Sequence, residues 1–185
     1  MARGGTMDWI KKIDWDKLKN PHPMFKQFIP TSEDPKDPFY LKVSKLQRLL
    51  MKRPLWLSDE YRTAKGIDAI IYSYFSGFTF NVFYEAGDFQ ALIGFMNIQP
   101  EFKCEMTLKL IDADLWGADF VRVSKELVEL FIEQFRLKRI SIETADERIV
   151  RMAKMAGFED EGKRPNDLMW EKKYYTKYLL GKYAE

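Results

Sequence analysis

The stretch DLWGADFVRVSKELVELF, residues 114 to 131, puts a short turn with a single glycine, Gly117, directly ahead of an amphipathic helix. The leading N–H groups of a helix have no acceptor within it and lie at the positive end of the aligned peptide dipoles. A turn of this kind suits an anion, a phosphate above all. Asp119 places a carboxylate near where that anion would lie, so the segment that invites a phosphate also opposes it. An aspartate there is equally suited to cap the helix by accepting a hydrogen bond from its first turn.

Few other side chains offer nucleophilic or metal chemistry. There is one cysteine, Cys104, and one histidine, His22. A lone cysteine excludes an internal disulfide and any cysteine-based cluster, and with one histidine no metal site is expected. His22 lies between Pro21 and Pro23 in a loop-like segment, which leaves no serine–histidine or cysteine–histidine pair in view. Cys104 falls on the apolar side of an alternating segment, the place of a small core residue and not of a nucleophile.

The elements that must position these groups follow from periodicity. In CEMTLKLI, 104 to 111, Cys104, Met106, Leu108 and Leu110 alternate with Glu105, Thr107 and Lys109, as a strand with two unlike faces requires. Phe120, Val123, Leu127, Leu130, Phe131 and Phe135 then recur at helical intervals, predicting a helix of about four turns. KRISIET supplies a strand at 138 to 144. Thr144 and Glu147 have the spacing of a capping box for a second helix, striped by Ile149, Met152, Ala153 and Ala156 and closed by Gly157 with Phe158 packing back.

Upstream, IIYSYFSG, FTFNVFY and ALIGFMNI read as strands, with 78 to 98 forming a hairpin around EAGD. Residues 41 to 51 and 58 to 70 have helical spacing. DWIKKIDWDKLK, 8 to 19, reads as one short helix docked by Trp9, Ile10, Ile13 and Leu18, and prolines at 21, 23, 30, 35 and 38 are expected to break regular structure between 20 and 38. The last segment, NDLMWEKKYYTKYLL, reads as a strand followed by a terminal helix or arm. Its mixed lysines and aromatics, WEKKYYTKYLLGKY, suit a solvated edge strand and arm.

Composition bounds the function classes. The chain has 185 residues, enough for one domain with an extension that buries roughly two-thirds of its unfolded surface. Its 46% hydrophobic content argues against disorder. A net charge of +2 advertises no nucleic acid and no anionic membrane. No apolar run is long enough to span a bilayer and MARGGTMDW lacks a signal-peptide core, so a soluble, cytoplasmic protein is expected.

Strand, turn, helix, strand, helix over 104 to 157 makes a β-α-β unit with parallel strands. ALIGFMNI, CEMTLKLID, LWGADFV, and KRISIET leading into ADERIVRMAKMAGFEDEG together resemble the GNAT superfamily of N-acetyltransferases, in particular its ribosomal-protein alanine N-acetyltransferase branch. The resemblance spans roughly residues 78 to 165. It implies an α/β fold built on a mixed, twisted sheet of six or seven strands. Residues 41–185 would form the GNAT-like domain, and 1–40 an N-terminal helical arm with a proline-rich linker.

The resemblance also implies a site. Acetyl-CoA would lie along the strand at 107 to 111, ending at Leu110 and Ile111. Its pyrophosphate would rest on the turn made by Trp116, Gly117, Ala118, Asp119, Phe120 and Val121, with Arg122 near enough to neutralise charge. Asp119 stands where the family has a second glycine, and Val121 where it has a small residue. A unit charge about 4 Å from a phosphate is opposed by ~4 kcal/mol at an effective dielectric near 20, against ~1.5 to 3 kcal/mol for each charge-assisted hydrogen bond of the cradle. Coenzyme binding is therefore expected to be impaired or lost.

Glu105 matches a glutamate that deprotonates the acceptor amine; its other reading is a solvated strand carboxylate paired with Lys103 or Lys109. Ala153 stands where some relatives place a tyrosine that protonates the departing thiolate, and Asp146 where they place an asparagine. RPLW and SDEYR, at 53 to 62, would fall at the acceptor cleft. An active protein would use an amine or a protein N-terminus as acceptor. A degenerate one, like some viral members of the superfamily, would bind a protein partner through its terminal aromatic arms.

Overall fold

A computed structural model of the chain describes residues 10–28, 81–87, 90–110, 117–170 and 172–184. The helices expected at 41 to 51 and 58 to 70, the IIYSYFSG strand and the segment at 53 to 62 lie outside these residues. Among the described residues seven strands form one sheet: β1 (Phe25–Phe28), β2 (Val82–Ala86), β3 (Ala91–Gln99), β4 (Lys103–Leu110), β5 (Arg139–Thr144), β6 (Glu159–Trp170) and β7 (Lys173–Tyr183). Their order is β1-β2-β3-β4-β5-β7-β6, antiparallel throughout except between β4 and β5. Among the described residues the α-helices are α1 (Trp15–Lys19), α2 (Ala118–Phe135), which carries the chain from β4 to its parallel neighbour, and α3 (Glu147–Met155).

Alternation along the strands sorts residues to two faces. Tyr84, Phe95, Met106 and Ile142 turn to one face and join the buried stripes of α2 and α3 in a single core. The centre of that core is aromatic. Phe131 of α2 stacks on Phe95 of β3 with ring centroids 3.6 Å apart and planes 7° from parallel, while Tyr84 meets both edge-on. Such contacts add to the area term of burial and fix the helix over the middle of the sheet.

Several expectations need correction. The segment between residues 20 and 38 is not wholly irregular, because Phe25–Phe28 pairs with β2 from Phe25↔Ala86 to Phe28↔Phe83. MFKQF is free of proline, and an edge strand needs hydrogen bonds on one side only. The expected single helix over 8 to 19 is divided into a 3-10 turn, Ile10–Lys12, and α1. Asp14 causes the division: its Oδ1 accepts from the Lys17 amide at 2.9 Å and starts a new helix. Ile13 and Leu18 are buried as expected, and the Tyr84 hydroxyl donates to the Leu18 carbonyl at 2.7 Å.

At the other end, residues 173–183 form neither an edge strand nor a helical arm. β7 pairs with β5 on one side and β6 on the other, so the tyrosines and threonine of KYYTKYLLGKY serve as β formers. The edge is β6, which accommodates Pro165 beside a register shift. The cap of α3 is Asp146, not Thr144: its Oδ1 accepts from the Arg148 amide at 3.0 Å, while Thr144 Oγ1 accepts from the Asp146 amide. Gly157 closes α3 as expected, at φ +90°, with the Phe158 amide donating back to Ala153.

Two substitutions test this packing. Phe131→Ala should lower unfolding free energy by about 3–5 kcal/mol in urea titrations. Gly94→Ala should cost about 1–3 kcal/mol, since overpacking forces neighbours apart. A Cβ there would lie 2.6 Å from Cδ1 of the buried Phe83 ring and 2.9 Å from Thr107 Cγ2. A wild-type midpoint for either variant would contradict the assigned contact.

Candidate functional site

β4 and β5 run side by side for a short distance only. Their register runs from Lys103↔Arg139 through Glu105↔Ser141 to Met106↔Ile142 and stops there. Both strands continue, but toward different partners. β4 stays with β3 as far as Leu110, and β5 stays with β7 as far as Thr144. Beyond Met106 the described residues give β4 no strand partner on this side, so a backbone edge opens into the gap. An edge of this kind can pair with an extended ligand through main-chain groups.

The start of α2 lies beyond that gap in the chain. Gly117 is its N-cap, with an extended backbone (φ −114°, ψ 162°) and no side-chain cap. The expectation that Asp119 caps the helix is therefore wrong: it is the second helical residue and is directed to solvent. The first helical bond runs from the Val121 amide to the Gly117 carbonyl at 3.3 Å, which leaves the Ala118, Asp119 and Phe120 amides ahead of the ladder. Gly117 is required neither by a left-handed φ nor by crowding among the described residues, where the nearest atom to a Cβ there would be 4.0 Å away.

Side chains around this start divide by role. Phe120 is in the core, edge-on to Phe25, so among the expected cradle residues it offers only its amide. Asp119 is 84% exposed and lies 3.5 Å from Arg122. Arg122 also donates to Glu126 at 2.7 Å, and these bonds hold its guanidinium above the usual arginine range. Ile111 and Trp116 lie outside the described residues, and Leu110 is the last residue of β4.

Two residues that the sequence reading did not assign to the site stand here. Arg148 and Arg151 of α3 line a cavity of about 510 Å³ with Gly117, Val121, Met152 and Met155. Arg148 is held by Asp146 through paired bonds of 2.6 and 2.9 Å, whereas Arg151 has no ion-pair partner among the described residues. The signal was present in DERIVR, where two arginines three apart share one helix face.

On the opposite face of the sheet from α2, Glu105 opens into a second cavity of about 420 Å³ with Thr107 and Ser141. Glu105 is exposed and has no ion-pair or hydrogen-bond partner among the described residues, so the expected pairing with Lys103 or Lys109 is not made. Cys104, one residue before it, is buried, and desolvation with help from Glu105 pushes its thiol up to about 12. It is no nucleophile. Among the described residues no cluster of histidine, cysteine and carboxylate side chains is placed to hold a metal, and no helix is long and apolar enough to cross a membrane.

No protein-family model matches the chain and no curated protein matches its sequence. Solved structures do match in shape. The microcin self-immunity acetyltransferase MccE, solved with acetyl-CoA and AMP, superposes at TM-score 0.60 and 13% identity over 88% of this chain and 94% of that one. Spermidine N-acetyltransferase from Vibrio cholerae, solved with CoA and spermine, gives 0.58 and 12% over 88% and 96%. An acetyltransferase of the GNAT family from Streptococcus pneumoniae gives 0.58 and 14% over 86% and 99%. At these identities the likeness is one of fold. The chain has the GNAT fold, as the strand and helix signatures implied.

Lys109, on the β4 segment that faces the gap, supplies a pH test. Desolvation pulls its ammonium from 10.5 down to about 8, against the opposing pull of Asp146. The folded state therefore releases a proton that the unfolded chain still holds between these values, and stability contributed by this group rises with pH across that window. Below pH 8 both states are protonated and the destabilisation is fully present. Lys109→Met should flatten the slope of unfolding free energy between pH 8 and 10.5; an unchanged slope would show that the ammonium is solvated.

Proposed function

We propose that this protein is an acetyl-CoA-dependent N-acetyltransferase whose coenzyme site is weakened, not abolished, by Asp119. The observation that carries the reading is the parting of β4 from β5 after Met106, together with a helix start, next in the described chain, whose N-cap glycine is uncrowded among the described residues. Residues 107 to 110 would pair with the extended arm of the coenzyme. The amides of Ala118, Asp119 and Phe120 would face its phosphates, with Arg148 and Arg151 adding positive charge. The expected repulsion from Asp119 assumed an effective dielectric near 20; for a side chain 84% exposed to water it falls roughly fourfold. Arg122 reduces it further.

The chemistry of the acceptor side rests on Glu105. It stands on β4 two residues before the segment that would hold the thioester, with its carboxylate exposed to the second cavity. There it removes one proton from the acceptor ammonium, either directly or through one water. Bound acetyl-CoA supplies the acyl group: the amine nitrogen bonds to the thioester carbonyl carbon, the C–S bond breaks, the nitrogen gives its second proton to water, and the departing thiolate takes a proton from water. Ala153 cannot provide that proton, and it is buried in the core. The acceptor is an amine, free or at a protein N-terminus.

Binding and catalysis separate in the test. Millimolar acetyl-CoA should raise the melting temperature of the full chain, because a ligand that binds only the native state stabilises it. Asp119→Gly should enlarge that shift, and Glu105→Gln should preserve it while lowering turnover by about 10² to 10⁴. No shift for either wild type or Asp119→Gly would overturn the reading and leave a GNAT fold used as an interaction module.

A further inference from the structure

The cavity beside Glu105 is walled by charge, and most of that charge is already neutralised. Arg139 binds Glu161 through both carboxylate oxygens, and Tyr183 donates to the same carboxylate. Arg164 binds Glu143, and Lys177 bridges Glu143 and Asp167 at 3.9 and 2.8 Å. Two groups on this wall are left out of these networks. They are the Glu105 carboxylate and the Lys103 ammonium, neither of which has an ion-pair partner among the described residues. That ammonium lies over the Phe102 ring, 5.4 Å from its centroid.

Lys103 and Glu105 stand on the same face of β4, two residues and so roughly 6 to 7 Å apart along the strand. Across from them on β5 stand Arg139 and Ser141, and Gly181 lies beyond Ser141 on β7. A side chain at Gly181 would collide with the Glu161 carboxylate, so the place above that glycine is kept for Glu161 and its two donors. A small molecule lying along β4 between the Glu105 and Lys103 side chains meets at one end an anion and at the other a cation that have no ion-pair partner among the described residues.

We infer that the acceptor is a small amine that carries an anionic group at its far end, its ammonium directed to Glu105 and its anion to Lys103. The inference rests on the acetyltransferase reading for the direction of the amine, but the selectivity belongs to the cavity alone. A polyamine is disfavoured on the same grounds. Each further ammonium would need a further unpaired carboxylate, and Glu143 and Glu161 are already taken by arginines. Lys103 acts here as a specificity residue.

Three four-carbon amines that differ in one end group isolate the charge: 4-aminobutyrate, butylamine and 1,4-diaminobutane. Their binding to the full chain is measured by NMR titration, with and without acetyl-CoA, and their turnover by thiol release. The expected order is 4-aminobutyrate, then butylamine, then the diamine. The first step should be about tenfold, the scale of one charge-assisted hydrogen bond. Lys103→Gln should bring 4-aminobutyrate and butylamine to within about twofold, and Lys103→Glu should put the diamine first. Acetyl-CoA binding with equal or reversed amine affinities would overturn the inference and leave the acetyltransferase reading standing. The expected order without any acetyl-CoA binding would do the opposite, and equal affinities without coenzyme binding would overturn both.

Discussion

Four register pairs between β4 and β5 are the constraint on which the site depends. They are the sole parallel contact in the described sheet, and they join two antiparallel blocks: β1 to β4 on one side, β5 with β7 and β6 on the other. Each block keeps its own pairing past the point where the shared ladder ends. The gap is therefore a product of competition, with β3 holding one strand and β7 the other. A longer shared ladder would close the backbone edge. A shorter one would leave α2 as the main tie between the blocks, since Phe131 on Phe95 and Ile140 in the same core are what clamp it across the junction.

The charges on the far face add positional order more than stability. Exposed ion pairs contribute little in water, and Arg164 and Glu143 are each nearly half exposed. The Arg139–Glu161 pair is better enclosed, with the carboxylate side chain 20% exposed. Burial alone would raise the Glu161 carboxyl, but the bonds from Tyr183 and Arg139 outweigh it and hold the group below the usual range. Its stabilising contribution is thus present at neutral pH and is lost as pH falls through the lowered value. The arrangement ties β6 across β7 to β5, and by consuming its own charges it leaves Lys103 and Glu105 as the groups that a ligand meets.

Much of the fold was legible because periodicity records burial. The two faces of β4, the stripes of α2 and α3, and Gly157 after α3 all follow from one-dimensional patterns that the structure repeats. The errors arose where the deciding partner is distant in sequence. β7 reads as a helix or an arm until β5 and β6 are known to flank it, and MFKQF becomes a strand only because β2 presents an edge. The choice of Asp146 over Thr144 as cap is local, but two acceptors two residues apart compete for the same amides and spacing does not decide between them. In the site, Glu105 and Gly117 were visible as residue types. That Glu105 is unpaired was not, because the pairing of Arg139 and Arg164 elsewhere is a tertiary fact.

The helix start shows how misleading a single motif position can be. Judged by sequence, Asp119 confronts the phosphate and Arg122 is the nearest remedy. In the structure the aspartate is in solvent, and Arg122 is shared between Asp119 and Glu126, so α2 brings little net positive charge of its own beyond its amides. The positive charge at this cavity comes from a different helix. Arg148 is fixed by the buried Asp146, which also caps α3, so the residue that begins that helix also aims a guanidinium at the cavity it shares with Gly117. Arg151 stands one turn further along with no ion-pair partner among the described residues. The positive charge near Gly117 thus comes from α3, whose Arg148 and Arg151 line the same cavity.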